Sequence, residues 1–218
     1  MEHNSKVDKH PRRLVTGFVL PSVPIFSLVD NTAKDDYLIQ PNGGDPPQLV
    51  HRQDRIERPS GFVRFSTRLG LANGDRPILE AAEKAYRFIT RNYRPGDQVT
   101  LAVTTSAKWE TYPHAKAIEM LAWHLYNGTS PKNTSKAQLG AGGNRGRIPI
   151  YAVVARVYLD EKQSMSSWSD GWKSRLPPEI KHIICWDKYP FRSCSSTFGK
   201  DGTLTSREVH MSCLVFGN

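Results

Sequence analysis
No apolar run in this chain approaches the ~20 residues that cross a bilayer, and its opening stretch, MEHNSKVDKHPRR, lacks the apolar centre of a secretory signal. A soluble, cytoplasmic protein is therefore the expectation. Cysteine is scarce: Cys185, Cys194 and Cys213 are odd in number and share no metal-ligand spacing, which excludes a disulfide framework and predicts reduced, mostly buried thiols. No cofactor motif is present. The run Gly140-Ala141-Gly142-Gly143-Asn144-Arg145-Gly146 has glycines enough to cradle a phosphate, but it lacks a Gly-Lys-Ser/Thr ending and precedes a strand where a nucleotide fold needs a helix. It reads as a loop. The sequons at Asn127 and Asn133 are discounted, because no secretory signal accompanies them.

What is present is ordinary globular composition over 218 residues, with 38% hydrophobic residues, enough for one domain with a sizeable core. Residues 1–12 are polar and read as a flexible N-terminus ahead of a single domain over 13–218. Thirty Lys and Arg against 21 Asp and Glu give a net charge of +9, which admits nucleic acid or an anionic surface as partner. The bases are scattered, however. Arg12-Arg13, the acid-interrupted group at 52–58 and the group at 87–94 are not interleaved with aromatics as a base-stacking platform would be. A solvated basic surface without a specific nucleic-acid signal is the better reading.

Periodicity supplies the fold class. In 78–93, Ile78, Ala82, Ala85, Tyr86, Ile89 and Tyr93 recur at spacings of three and four, the signature of an amphipathic helix. Pro77 suits its first turn, Glu80–Lys84 and Glu83–Arg87 are spaced to pair on its outer side, and Pro95-Gly96 stops it. DQVTLAVTT follows at once as a short buried strand, so helix, tight turn and strand form half of a βαβ unit. A second helix is predicted over 114–126, from Pro113 to Gly128. IPIYAVVARVYLD, with a nearly continuous run of Val, Ile and Tyr, reads as a fully buried strand. With further strands near 13–20, 47–51 and 207–215, this alternation predicts an α/β protein: a three-layer sandwich around a mostly parallel sheet. Residues 30–47 read as a surface loop.

The stretch AYRFITRNYRPGDQVTL resembles the signature of an α/β-hydrolase family of fungi and bacteria that includes the catalytic domain of type VI secretion phospholipase effectors. In that family the strand leads into a nucleophile elbow, G-x-S-x-G, whose glycines let the chain turn sharply enough to expose the serine. Here those positions read Val103-Thr104-Thr105-Ser106-Ala107, so both glycines are absent and the nucleophile position falls on Thr105. The resemblance also implies an Asp-Gly-Thr turn where Val19-Leu20-Pro21 stands, a triad aspartate at Asp160, and a catalytic histidine where this chain has Val215. It reads 178–191 as a helical turn under the active-site face, with His182 and Asp187 structural.

Two functions follow. One is a degenerate, non-catalytic member of the family that binds a small-molecule or protein ligand. The alternative is a working hydrolase of esters or phospholipids with a rearranged centre, for instance Ser106 or Thr105 with His114 or His210 and with Asp160 behind. His124, on the predicted helix, reads as a surface or core residue. A nucleic-acid-binding role rests on net charge alone.

Overall fold
The computed structural model describes residues 11–18, 48–53, 56, 76–106, 112–131, 146–159, 164–187 and 192–211. Helix α1 spans Arg76–Asn92 and buries Ile78, Ala81, Ala82, Ala85, Tyr86 and Ile89, the face its periodicity predicts. Arg87 Nε meets Glu83 at 2.9 Å, as its spacing predicts, but Glu83 is buried rather than on the outer side; Glu80, which is exposed, is held by Arg76 at 2.9 Å. The turn that follows has a specific lock. Gly96 takes φ +97°, which an L-residue rarely adopts, and the Asp97 carboxylate accepts the Arg94 N–H at 2.8 Å. Asp97 also accepts both arms of the Arg12 guanidinium, at 3.1 and 2.7 Å, while Arg12 reaches the Asn92 carbonyl. Thus Arg-Pro-Gly-Asp ties the end of α1 to the starts of β1 and β3.

The strands are β1 (Arg13–Phe18), β2 (Gln48–Gln53), β3 (Gln98–Ser106), β4 (Ile150–Tyr158), β5 (His182–Asp187), β6 (Arg192–Phe198) and β7 (Leu204–Met211). They form one sheet in the order β2-β1-β3-β4-β5-β6-β7, parallel from β2 to β5 and antiparallel across β5–β6 and β6–β7. The architecture is an α/β protein with a seven-stranded, mostly parallel mixed sheet and three described helices. The stretch Val99 to Val103 lies well inside this sheet, flanked by β1 and β4.

Helix α2 (Pro113–Asn127) begins with proline at its first turn and ends at Gly128, whose left-handed φ of 66° caps the helix. Helix α3 (Met165–Lys173) buries Met165, Trp168, Ser169 and Trp172, one stripe at helical spacing. None of the described helices is long and apolar enough to cross a membrane.

All three helices pack on one face of the sheet. Ladder partners share a face, so Leu14, Val99, Leu101, Val103, Val153, Ala155, Val157, Ile183 and Cys185 point together, and they form one core with Ile89, Ile118, Leu121 and Trp172. Each large aliphatic side chain so buried contributes roughly 1.5–3 kcal/mol. Handedness explains the arrangement: β2→β3, β3→β4 and β4→β5 all progress in the same direction across the sheet, and right-handed crossovers place their helices on the same side. Val15, Ala102, Val154 and Ile184 point to the opposite face and are buried too, with no described helix upon them.

Three sequence expectations are corrected. Residues 182–187 form β5 rather than a helical turn, because the short apolar run IICW is ambiguous by periodicity and the open side of β4 supplies a ladder for it. The last strand begins at Leu204 rather than 207 and lies at the far edge, antiparallel to β6; residues 212–215 lie outside the described residues. Strand β6 was not foreseen; its inward residues are Cys194, Ser196 and Phe198, so polar atoms interrupt the apolar alternation that would mark it.

Candidate functional site
In an open α/β sheet ligands bind beyond the carboxyl ends of the strands, where the strand order reverses. Here the reversal lies between β1 and β3, and β3 ends there with Thr104, Thr105 and Ser106. Thr104 and Thr105, which the resemblance would place in an elbow, are thus at that edge of the sheet. Their conformation is another matter. β3 continues without a turn through Ser106: Thr105 pairs with Val157 and Ser106 with Tyr158 in the parallel ladder. A nucleophile elbow must break the strand to lift its side chain above the sheet, and Val103, Thr104 and Thr105 remain ordinary strand residues instead.

Burial is decisive for the nucleophile position. Thr105 is 0% exposed and faces the helix-covered side, in the row Thr105–Val157–Asp187. Its hydroxyl has no hydrogen-bond partner among the described residues, so no described imidazole is positioned to take its proton. The Thr104 hydroxyl, on the opposite face, is likewise buried without a partner among them.

Neither histidine of the rearranged centre hydrogen-bonds Thr105. His114, buried in the first turn of α2, has its Nε2 facing the Ile56 N–H at 3.4 Å. His210 sits on β7, four strands from β3, which at ~4.8 Å per strand is roughly 19 Å away. It is exposed, with Nε2 3.5 Å from Glu208. The pairing of Thr105 or Ser106 with His210 is therefore overturned by topology. His124 contacts the Thr129 hydroxyl at 2.8 Å beside the C-cap, and burial lowers its pKa against the opposing effect of Glu83. Asp160, Val215 and the 19–21 segment lie outside the described residues.

A different carboxylate occupies this edge. Asp187 ends β5 with its side chain 2% exposed, accepts the Leu159 N–H at 3.5 Å and pairs with Arg192 at 2.8 Å. It lies two strands from Thr105, about 10 Å between backbones. The sequence signal was an apolar run ending in aspartate, IICWD, obscured while the segment was read as helical. His182 and Asp187 are on opposite faces, since their positions differ by an odd number within one strand. His182 instead lies tilted against Tyr151, with centroids 4.9 Å apart, and meets the Thr197 hydroxyl at 3.2 Å; burial, aided by Lys181, lowers its pKa to about 4. Cys185 and Cys194 are free, buried and cross-strand neighbours, and burial pushes the Cys185 thiol well up, which makes it a poor nucleophile.

Comparisons of the chain with protein-family models, curated proteins and solved structures found no match.

Proposed function
We propose that this chain is a degenerate, non-catalytic member of the α/β-hydrolase family whose signature AYRFITRNYRPGDQVTL it resembles, a three-layer sandwich retained for binding a small-molecule or protein ligand. The observation that carries this reading is the state of Thr105: inside the β3 ladder, fully buried, its hydroxyl without a partner among the described residues. Acyl transfer needs an exposed nucleophile with a base within hydrogen-bond reach, and a hydroxyl in that position meets neither requirement.

The experiment is a turnover assay on the purified protein with p-nitrophenyl butyrate and phosphatidylcholine vesicles. The expected result is no hydrolysis above buffer, since general acid–base catalysis alone is worth ~10²–10⁴-fold and has no arranged base here. Hydrolysis that disappears in Thr105→Ala or Ser106→Ala would instead establish a rearranged phospholipase-like centre.

A further inference from the structure
A cleft of about 890 Å³ opens at the rim opposite the elbow position, where α1 and α2 end and the chain approaches β4. Its wall includes Tyr86, Arg87, Arg91, Tyr93 and Arg147, together with Glu83. The carboxylate is already matched: Glu83 is buried, and its oxygens accept Arg87 Nε and Ser130 Oγ, each at 2.9 Å. Arg91 forms no ion pair among the described residues. Arg147 lies over the Tyr126 ring at 4.8 Å, and its one carboxylate neighbour among the described residues, Glu179, is 3.9 Å away and half exposed, a pair that solvent screens strongly.

Charge bookkeeping then selects the ligand. Three guanidinium groups against one carboxylate leave a formal surplus of two positive charges on the wall. The C-terminal ends of α1 and α2 oppose this with about −0.5 each, so the balance stays positive. Burial and the neighbouring Asp97 raise the Tyr93 pKa, so its phenol stays neutral and able to donate. A cavity of this size exceeds what a bare inorganic ion fills and falls within the range of sites for small organic molecules, roughly 300–1,000 Å³. We infer that this cleft binds a small organic oxyanion, a phosphate or carboxylate carried on an apolar or aromatic body, with Arg91 and Arg147 holding the anionic group and Tyr86 and Tyr93 walling its body. Guanidinium groups suit this task because their planar forks match two oxygens of one oxyanion.

Calorimetric titration of the full chain with phenyl phosphate, benzoate and phenol tests the inference. Phenyl phosphate or benzoate binds, and which of the two is tighter identifies the anionic group; phenol, matched in its ring but neutral, does not. Arg91→Ala and Arg147→Ala each weaken binding about tenfold or more, the scale of one charge-assisted contact. Arg94→Ala, which removes an equal charge just outside the wall, leaves affinity unchanged. Thermal melts verify that each variant is folded, and if Arg147→Ala unfolds through loss of its Tyr126 contact, Arg91→Ala alone decides. Failure of both anions to bind, equal binding of phenol, or equal loss in Arg94→Ala overturns the inference. None of these outcomes depends on hydrolytic activity.

Discussion

In the β1–β3–β4 part of the sheet the hydroxyls of Thr16, Thr104 and Thr105 are buried without hydrogen-bond partners among the described residues. In the β5–β7 part, side-chain polar atoms join elements: Ser169 meets Ser196 at 3.3 Å, Arg207 donates to Ser196 at 3.1 Å and to both Asp170 oxygens, and Asp187 is matched by Arg192, although the indole N–H groups of Trp168, Trp172 and Trp186 are buried without partners among the described residues. An unpaired buried hydroxyl is a standing cost, whereas a paired one specifies which elements meet. The comparison separates the two ends of the molecule by what their polar groups accomplish. The Thr16, Thr104 and Thr105 hydroxyls join no described elements, whereas the bonds around β5–β7 fix how α3 and the antiparallel strands dock.

The comparison is broken most forcefully at Trp172. This fully buried indole joins α3 to the core, and truncating it to alanine is expected to remove about 3–5 kcal/mol in urea denaturation. A loss under about 1 kcal/mol would mean that α3 contributes little to the folded state. Next comes the Asp187–Arg192 pair: Arg192→Leu should cost about 3 kcal/mol, because it strands a carboxylate that is 2% exposed. The double variant Asp187→Leu/Arg192→Leu should recover most of that loss, and a double variant as unstable as the single one would show that packing, not charge, governs the site.

Thr105→Val should change stability by only about 1 kcal/mol, in the stabilising direction, since it replaces a partnerless buried hydroxyl by a methyl of similar shape. Clear destabilisation in the same denaturation assay would reveal a hydrogen bond to that oxygen and erase the contrast between the two parts. The smallest effect is nil at neutral pH. His182 has its pKa lowered in the folded state from 6.5 to about 4, so between these values the unfolded chain binds the extra proton. Its contribution is fully present above pH 6.5 and is lost as pH falls towards 4. Urea midpoints for His182→Gln should therefore fall less steeply than wild type across that window, and parallel profiles would show that His182 does not titrate there.

Both ends of the molecule were unequally legible in the residues. α1, α2, β3 and β4 lie close to their expected positions because their signals are local: apolar spacing of three and four, a Pro-Gly stop, a left-handed glycine cap, and unbroken Val/Ile runs. The absence of glycine at Val103 and Ala107 was also readable, and with it the expectation that Thr105 is not lifted from the sheet. β5, β6 and α3 carry weak local signals. IICW fits a helical turn as well as a strand, RSCSSTF buries serine and cysteine, and MSSWSDGWK dilutes its tryptophan stripe with serines and a glycine.

By itself, then, the order of residues determined the central βαβ frame, the charge excess and the absence of glycine at Val103 and Ala107, since backbone conformation and net charge depend on near neighbours or on none. Only the tertiary structure decided that Asp187 pairs with Arg192, that His210 is four strands from Thr105, and that Arg91 and Arg147 share a cleft. Those facts depend on the strand order and on right-handed crossovers that stack all three helices on one face, and groups far apart in the chain become neighbours only when the sheet is assembled.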